Sequence, residues 1–182
     1  MTAEDRRIVD RLPDTFILGA SRFVPYKQLD KVIAIGALLD VPVVIAGDGP
    51  EEQRLRQFAA DLSASTTFVQ SPSDALLHTL YARCAVFIFP PVEDFGIMPV
   101  EAIAAGAPVV VNSVGGAKES VGETMAGVVV NFEDIRDAAD RTRELLDRGV
   151  RPSVADVADF DESRFLKRVR NWVCSEMQSL QR

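Results

Sequence analysis

The run Ala85-Val-Phe-Ile-Phe89, followed by Pro90-Pro-Val-Glu-Asp-Phe-Gly-Ile-Met-Pro-Val-Glu-Ala102, carries the architectural signal of this chain. Ala85–Phe89 is a continuous apolar segment of strand length, and the segment after Pro99 reads as a helix ending near Gly106. The unit is therefore strand, loop, helix. In a parallel α/β sheet such a loop lies at the carboxyl edge of the strands, where ligands bind. Glu93 precedes the helix and Glu101 falls in its first turn, as the third residue if Pro99 is the first. Backbone amides near Phe95, Gly96, Ile97 and Met98 then face an anion, and Glu101 can accept from vicinal hydroxyls. A carboxylate at a third helical position can equally serve as a cap. The ligand that suits the arrangement is a sugar nucleotide.

Working outward, strand-like runs at Phe16–Gly19, Val43–Ala46, Thr67–Val69, Ala85–Phe89, Val109–Asn112 and Gly127–Val130 alternate with helical patterns. The latter lie at Leu29–Leu39, Glu51–Leu62, Asp74–Ala82, Pro99–Ala105 and Ile135–Leu146. This alternation predicts an α/β fold, a Rossmann-like doubly wound parallel sheet of about six strands. The strand runs lack a polar face, as expected when helices cover both sides. A single domain over residues 1–182 is expected, with its core at about 14–148, a connector at 149–160 and a last helix at about 163–181. That helix carries an apolar stripe of Phe165, Leu166, Val169, Trp172, Val173, Met177 and Leu180. It either covers the sheet or faces a partner. Its cations Arg164, Lys167, Arg168 and Arg170 suit a solvated face or an acidic membrane surface.

The 182 residues, 47% hydrophobic and 26% charged, suffice for a sizeable core. A net charge of −7 argues against nucleic acid as a partner, since phosphate-backbone binding needs a basic surface. Cys84 and Cys174 lack a CxxC spacing, so neither a disulfide framework nor a zinc site is indicated, and a cytoplasmic location is the expectation. No apolar stretch approaches the ~18 residues of a membrane span, so any membrane contact is expected to be peripheral.

The run Glu93 to Glu101 resembles the E-x7-E signature of retaining glycosyltransferases of the GT-B fold, in the large family numbered four. Three further segments agree in order and spacing: Ser21-Arg-Phe-Val-Pro-Tyr-Lys27, Gly47-Asp-Gly-Pro-Glu51 and Gly115-Gly-Ala-Lys-Glu119. The wording Glu-Asp-Phe-Gly-Ile-Met-Pro-Val-Glu is most similar to bacterial mannosyltransferases that use GDP-mannose. The resemblance implies a GDP-mannose donor, a UDP-sugar being the alternative, with no tightly bound cofactor and no required metal. It also implies a partner, an N-terminal acceptor-binding half, because a family member has two Rossmann-like halves and this chain matches the second. Transfer alone is then expected to be weak. A non-catalytic sugar-nucleotide-binding or assembly subunit, or an epimerase- or phosphorylase-like relative, are the competing readings.

Sugar transfer from a nucleotide develops negative charge on the departing diphosphate, which cations must stabilise. Arg22 offers a planar fork and Lys27 a mobile point charge, and the resemblance gives the matching positions these roles. Glu93 is expected to orient the transferred sugar and Glu101 to hold the ribose. Gly96 permits close backbone approach. Phe95 either walls the pocket or fills the core. Gly115 and Gly116 either leave space for the ligand or make a tight turn. Gly47 gives room for the nucleotide within a structural turn; the dinucleotide pattern G-x-G-x-x-G fails there because Glu52 stands at its last position. Gln70 and Ser71 border the base through their backbone. Asp94, Glu119 and the lone His78 are given no firm role.

Overall fold

The structure is a computed structural model and describes residues 1–121 and 126–179, with side chains as far as residue 174. Six parallel strands form one sheet: β1 (Ile17–Ala20), β2 (Val43–Gly47), β3 (Thr66–Gln70), β4 (Val86–Phe89), β5 (Val109–Asn112) and β6 (Gly127–Val130). Their spatial order is β3-β2-β1-β4-β5-β6. The helices are α1 (Ala3–Val9), α2 (Leu29–Leu39), α3 (Glu52–Asp61), α4 (Asp74–Arg83), α5 (Ile97–Ala104), α6 (Ala117–Val121), α7 (Ile135–Arg148) and α8 (Glu162–Ser179). Two 3-10 turns, Pro25–Lys27 and Val154–Phe160, complete the described elements. The predicted doubly wound sheet is present, with strand bounds within about a residue of those read from the sequence.

Alternation within each strand feeds two cores. Leu18, Val44, Phe87, Phe89, Val109 and Val111 point to one side, under α4, α5 and α6. Ile17, Val43, Ile45, Ile88 and Val110 point to the other, under α2, α3 and α7. Both faces of the central strands are therefore dry, which is why their sequences show no polar alternation. Close packing shows at Gly36 of α2, where a Cβ would collide with a methyl of Val43 on β2 and stand 3.1 Å from the Val41 carbonyl.

Some expectations need correction. The polar amino-terminal lead contains α1, opened by a reciprocal cap: the Asp5 N–H donates to the Thr2 hydroxyl (3.1 Å) and the Thr2 N–H to the Asp5 carboxylate (2.7 Å). Asp5 also accepts from the Ser73 hydroxyl at the head of α4 (3.1 Å), docking α1 on the domain. Residues 117–121 form a short helix, α6, where the sequence suggested only a loop. Over its described side chains the last helix does not cover the sheet: residues 162–174 are exposed throughout, including Phe165, Leu166 and Val169. Of its predicted stripe, the Met177 side chain and Leu180 lie outside the described residues.

Candidate functional site

β1 and β4 are neighbours in the sheet but belong to the two oppositely progressing halves of its strand order. The loops leaving their carboxyl ends diverge and open a crevice, the usual ligand position in open α/β sheets. The β1 loop delivers Lys27 and the β4 loop Glu93. Pro25 starts the 3-10 turn that ends at Lys27. This turn folds the lysine inward until it is 8% exposed. Its ammonium forms an ion pair with Glu93 Oε1 and lies 5.0 Å from the Tyr26 ring centroid. Arg22 is exposed on the same loop, and its guanidinium donates to the Tyr26 hydroxyl (3.3 Å). Three of the four charged candidates, Arg22, Lys27 and Glu93, thus share one rim.

The Glu93 loop is held by the β5–α6 loop beside it. The Gly116 N–H donates to the Glu93 carbonyl (2.7 Å). A Cβ at Gly116 would collide with the Asp94 carbonyl, and one at Gly115 would come within 2.7 Å of the Glu93 carbonyl. Of the two readings of this glycine pair, ligand space or a tight turn, the structure shows the turn, with the neighbouring backbone where side chains would stand. Asn112, at the end of β5, donates from its amide to the Pro90 carbonyl (2.7 Å) and accepts from the Val114 N–H (3.0 Å). The Ser120 hydroxyl reaches the Phe95 carbonyl (3.3 Å).

Gly96 precedes α5 with φ +77°, a conformation that favours glycine, and a Cβ there would meet Ala117 at 2.7 Å. The helix starts at Ile97, two residues before the expected Pro99, with no side chain capping its end. Its first turn therefore presents amides to the rim. An open cleft of about 430 Å³ joins Tyr26, Glu93, Gly96, Ile97 and Met98. The earlier start makes Glu101 the fifth helical residue, beyond the reach of a capping role. Glu101 is exposed and borders a neighbouring groove with Val154 and Arg164, not the cleft that holds Glu93. A larger cavity of about 970 Å³ lies beyond Phe95 and Ile97, closed on its far side by Phe160, Phe165 and Arg168.

Phe95 is 49% exposed, so the core reading is corrected. Its ring meets Phe160 edge-on at 5.8 Å. At Gly47 the place of a side chain is filled by the Ser21 carbonyl, so this glycine serves backbone packing and gives no room for a nucleotide on that side. The Gln70 amide donates to the Glu52 carboxylate (2.6 Å) and the Ser71 hydroxyl to Asp48 (2.6 Å), tying the two loops after β2 and β3 together. Asp94, Glu119 and His78 are exposed.

Sequence reasoning missed Tyr26, Asn112 and Tyr81. Tyr81 is 1% exposed, and its hydroxyl has no hydrogen-bond partner among the described residues. Burial, and secondarily the Glu101 charge, push its ionisation well above the ordinary range. Asn112 had a visible signal, a polar amide ending the apolar run Val109-Val-Val. Burial pushes the Cys84 thiol up to about 12, leaving it inert.

Residues 2–158 match the family described as glycosyl transferases group 1, and the chain belongs to it. It is 34% identical over 145 residues to the GDP-mannose-dependent monoacylated alpha-(1-6)-phosphatidylinositol monomannoside mannosyltransferase of Corynebacterium glutamicum, covering 72% of this chain and 38% of that protein. It is 36% identical over 137 residues to the D-inositol 3-phosphate glycosyltransferase of Mycolicibacterium smegmatis, covering 70% of this chain and 31% of the relative. The chain thus spans about a third of the length of these curated relatives. Among solved structures, Anabaena HepE, determined with UDP and glucose, aligns with a TM-score of 0.71 at 22% identity, over 98% of this chain and 53% of that one. The fold is that of GT-B glycosyltransferases.

Proposed function

We propose that this chain is the donor-binding half of a retaining glycosyltransferase and that its donor is GDP-mannose, completed by an N-terminal half that holds the acceptor. The observation that carries the reading is the Lys27–Glu93 pair at the β1–β4 crevice, beside the uncapped start of α5. An ammonium has three donors. Lys27 can therefore keep Glu93 while donating to a diphosphate oxygen. Glu93 has a second carboxylate oxygen free to accept from a sugar hydroxyl, so one ion pair joins the two ends of the bond to be broken. Arg22 adds a fork to the diphosphate, and the α5 amides complete the anion site.

As the glycosidic bond breaks, negative charge grows on the diphosphate and these contacts strengthen, which lowers the barrier. In a same-face displacement the departing phosphate oxygen takes the acceptor proton. Glu101, on the groove next to this cleft, holds the ribose of a donor that extends past Glu93 along α5. The identities of the curated relatives favour GDP-mannose, and the UDP in HepE marks a UDP-sugar as the competing donor. The exposed apolar side of α8 suits the N-terminal half, and contact with a membrane is peripheral, through the acceptor.

The test is calorimetry of the purified chain against GDP-mannose, UDP-glucose, UDP-N-acetylglucosamine and ADP-glucose. Saturable one-to-one binding, tightest for GDP-mannose, is expected. Heat with none of the four overturns the donor-site reading if none is detected up to millimolar concentration.

A further inference from the structure

We propose that Asn112 is a positioning residue for the donor sugar, acting through the Glu93 loop. This rests on the donor-site reading above. Asn112 is the last residue of β5 and is 6% exposed. Its amide joins the two loops just past the strand ends, before the Gly116–Glu93 backbone bond takes over. One end donates to the Pro90 carbonyl and the other accepts from the Val114 N–H. Pro90 begins the loop that carries Glu93, and Val114 immediately precedes the glycine pair.

Further out, the Gly116 N–H holds the Glu93 carbonyl, with the glycine pair packed on the Glu93–Asp94 backbone. Two of these bonds, Asn112 to Pro90 and Gly116 to Glu93, form a ladder extending the β4–β5 pairing past the sheet edge, and the third, from the Val114 N–H to Asn112, folds the β5–α6 loop between them. The base of the ladder is a side chain and its tip is Glu93. The Asn112 amide nitrogen and oxygen each have a defined partner, and in a buried site a mismatch there costs more than an exposed bond would. The Glu93 carboxylate, and Lys27 with it, therefore stands where Asn112 sets the loop. The adjoining α5 amides begin after Gly96, and the backbone leading into them meets α6: the Ser120 hydroxyl donates to the Phe95 carbonyl and Gly96 packs on Ala117. The consequence is selective: contacts to the sugar and distal phosphate depend on Asn112, and contacts to the nucleoside do not.

Asn112→Asp keeps the acceptor for Val114 but places a carboxylate oxygen against the Pro90 carbonyl. Asn112→Ser shortens the link and retains a hydroxyl. With the full chain, calorimetry compares GDP-mannose with GMP, and amide hydrogen exchange follows Val114 and Gly116. Both variants should lose at least tenfold in GDP-mannose affinity with GMP affinity changed by less than twofold, and both amides should exchange faster. Equal losses for the two ligands, or no loss for either, overturn the proposal while leaving the donor site intact. If the wild-type chain binds neither ligand, the donor-site reading falls and this proposal with it. Should Asn112→Asp fail to fold, Asn112→Ser carries the comparison. Should both fail, wild-type Val114 and Gly116 amides exchanging at the rate of free loops overturn the ladder, and protected ones uphold it.

Discussion

Lys27 and Glu93, separated by 66 positions, form an ion pair where the β1 and β4 loops part, with the lysine nearly buried and the glutamate half-buried. The lysine is turned inward by a local 3-10 turn, whereas the glutamate is carried on a loop stitched to β5. Replacing Lys27 with Ala leaves the Glu93 charge without its partner and removes a phosphate donor. Binding of GDP-mannose should weaken by ~1–3 kcal/mol, with guanosine much less affected. Calorimetry with both ligands checks this; equal losses would count against a phosphate role.

Glu101→Ala should weaken nucleotide binding by ~1–3 kcal/mol if its carboxylate accepts from ribose hydroxyls in a desolvated contact. Because Glu101 is the fifth residue of α5 and not a cap, the same change should leave the thermal midpoint nearly untouched. A 2′,3′-dideoxynucleotide should bind wild type and variant alike. A variant that discriminates between the ribo- and dideoxy- forms as wild type does would refute the assignment.

Gly36→Ala is a test of packing. In an open helix this change stabilises by ~1 kcal/mol. Here the new methyl runs into Val43, which is itself buried in the sheet. Overpacking costs ~1–3 kcal/mol, so a net loss is expected, visible as a lower urea midpoint with an unchanged slope.

Asp5 links stability to pH. The Thr2 N–H chiefly, then the Ser73 and Thr2 hydroxyls, hold its carboxyl below the ordinary 3.8, with burial opposing them. A depressed folded value means that its contribution is complete above the unfolded value and is lost as pH falls through the folded one. Urea midpoints measured from pH 5 down to 3 should decline less steeply in Asp5→Asn than in wild type. Parallel declines would show that α1 adds nothing to the acid limb.

Much of this was legible beforehand, because apolar runs buried on both faces and separated by amphipathic segments admit few topologies. The meeting of the Lys27 and Glu93 loops followed from that topology. What the sequence hid depends on contacts distant along the chain. Phe95 could be read as pocket wall or core, and the choice depends on Phe160, from the 3-10 turn after α7, which stands beside it at the surface. Between ligand space and a tight turn, nothing local at Gly115 and Gly116 could choose, because the Glu93 and Asp94 carbonyls packed against them come from a distant loop. Pro99 suggested a helix start, yet a proline within the first turn lacks only an N–H that would have no intrahelical acceptor, so Gly96 set the boundary instead. The Thr2-x-x-Asp5 cap was visible in the sequence and went unused.

The crevice has no owner within either half of the sheet. The β1 loop, from the half holding β1 to β3, supplies one wall and the β4 loop, from the half holding β4 to β6, the other, so a nascent or partly opened molecule that has assembled only one half has no place for a ligand. Occupancy therefore reports on, and by mass action reinforces, the seam between the halves. Hydrogen exchange across β1 and β4 is where a bound ligand's protection should be greatest.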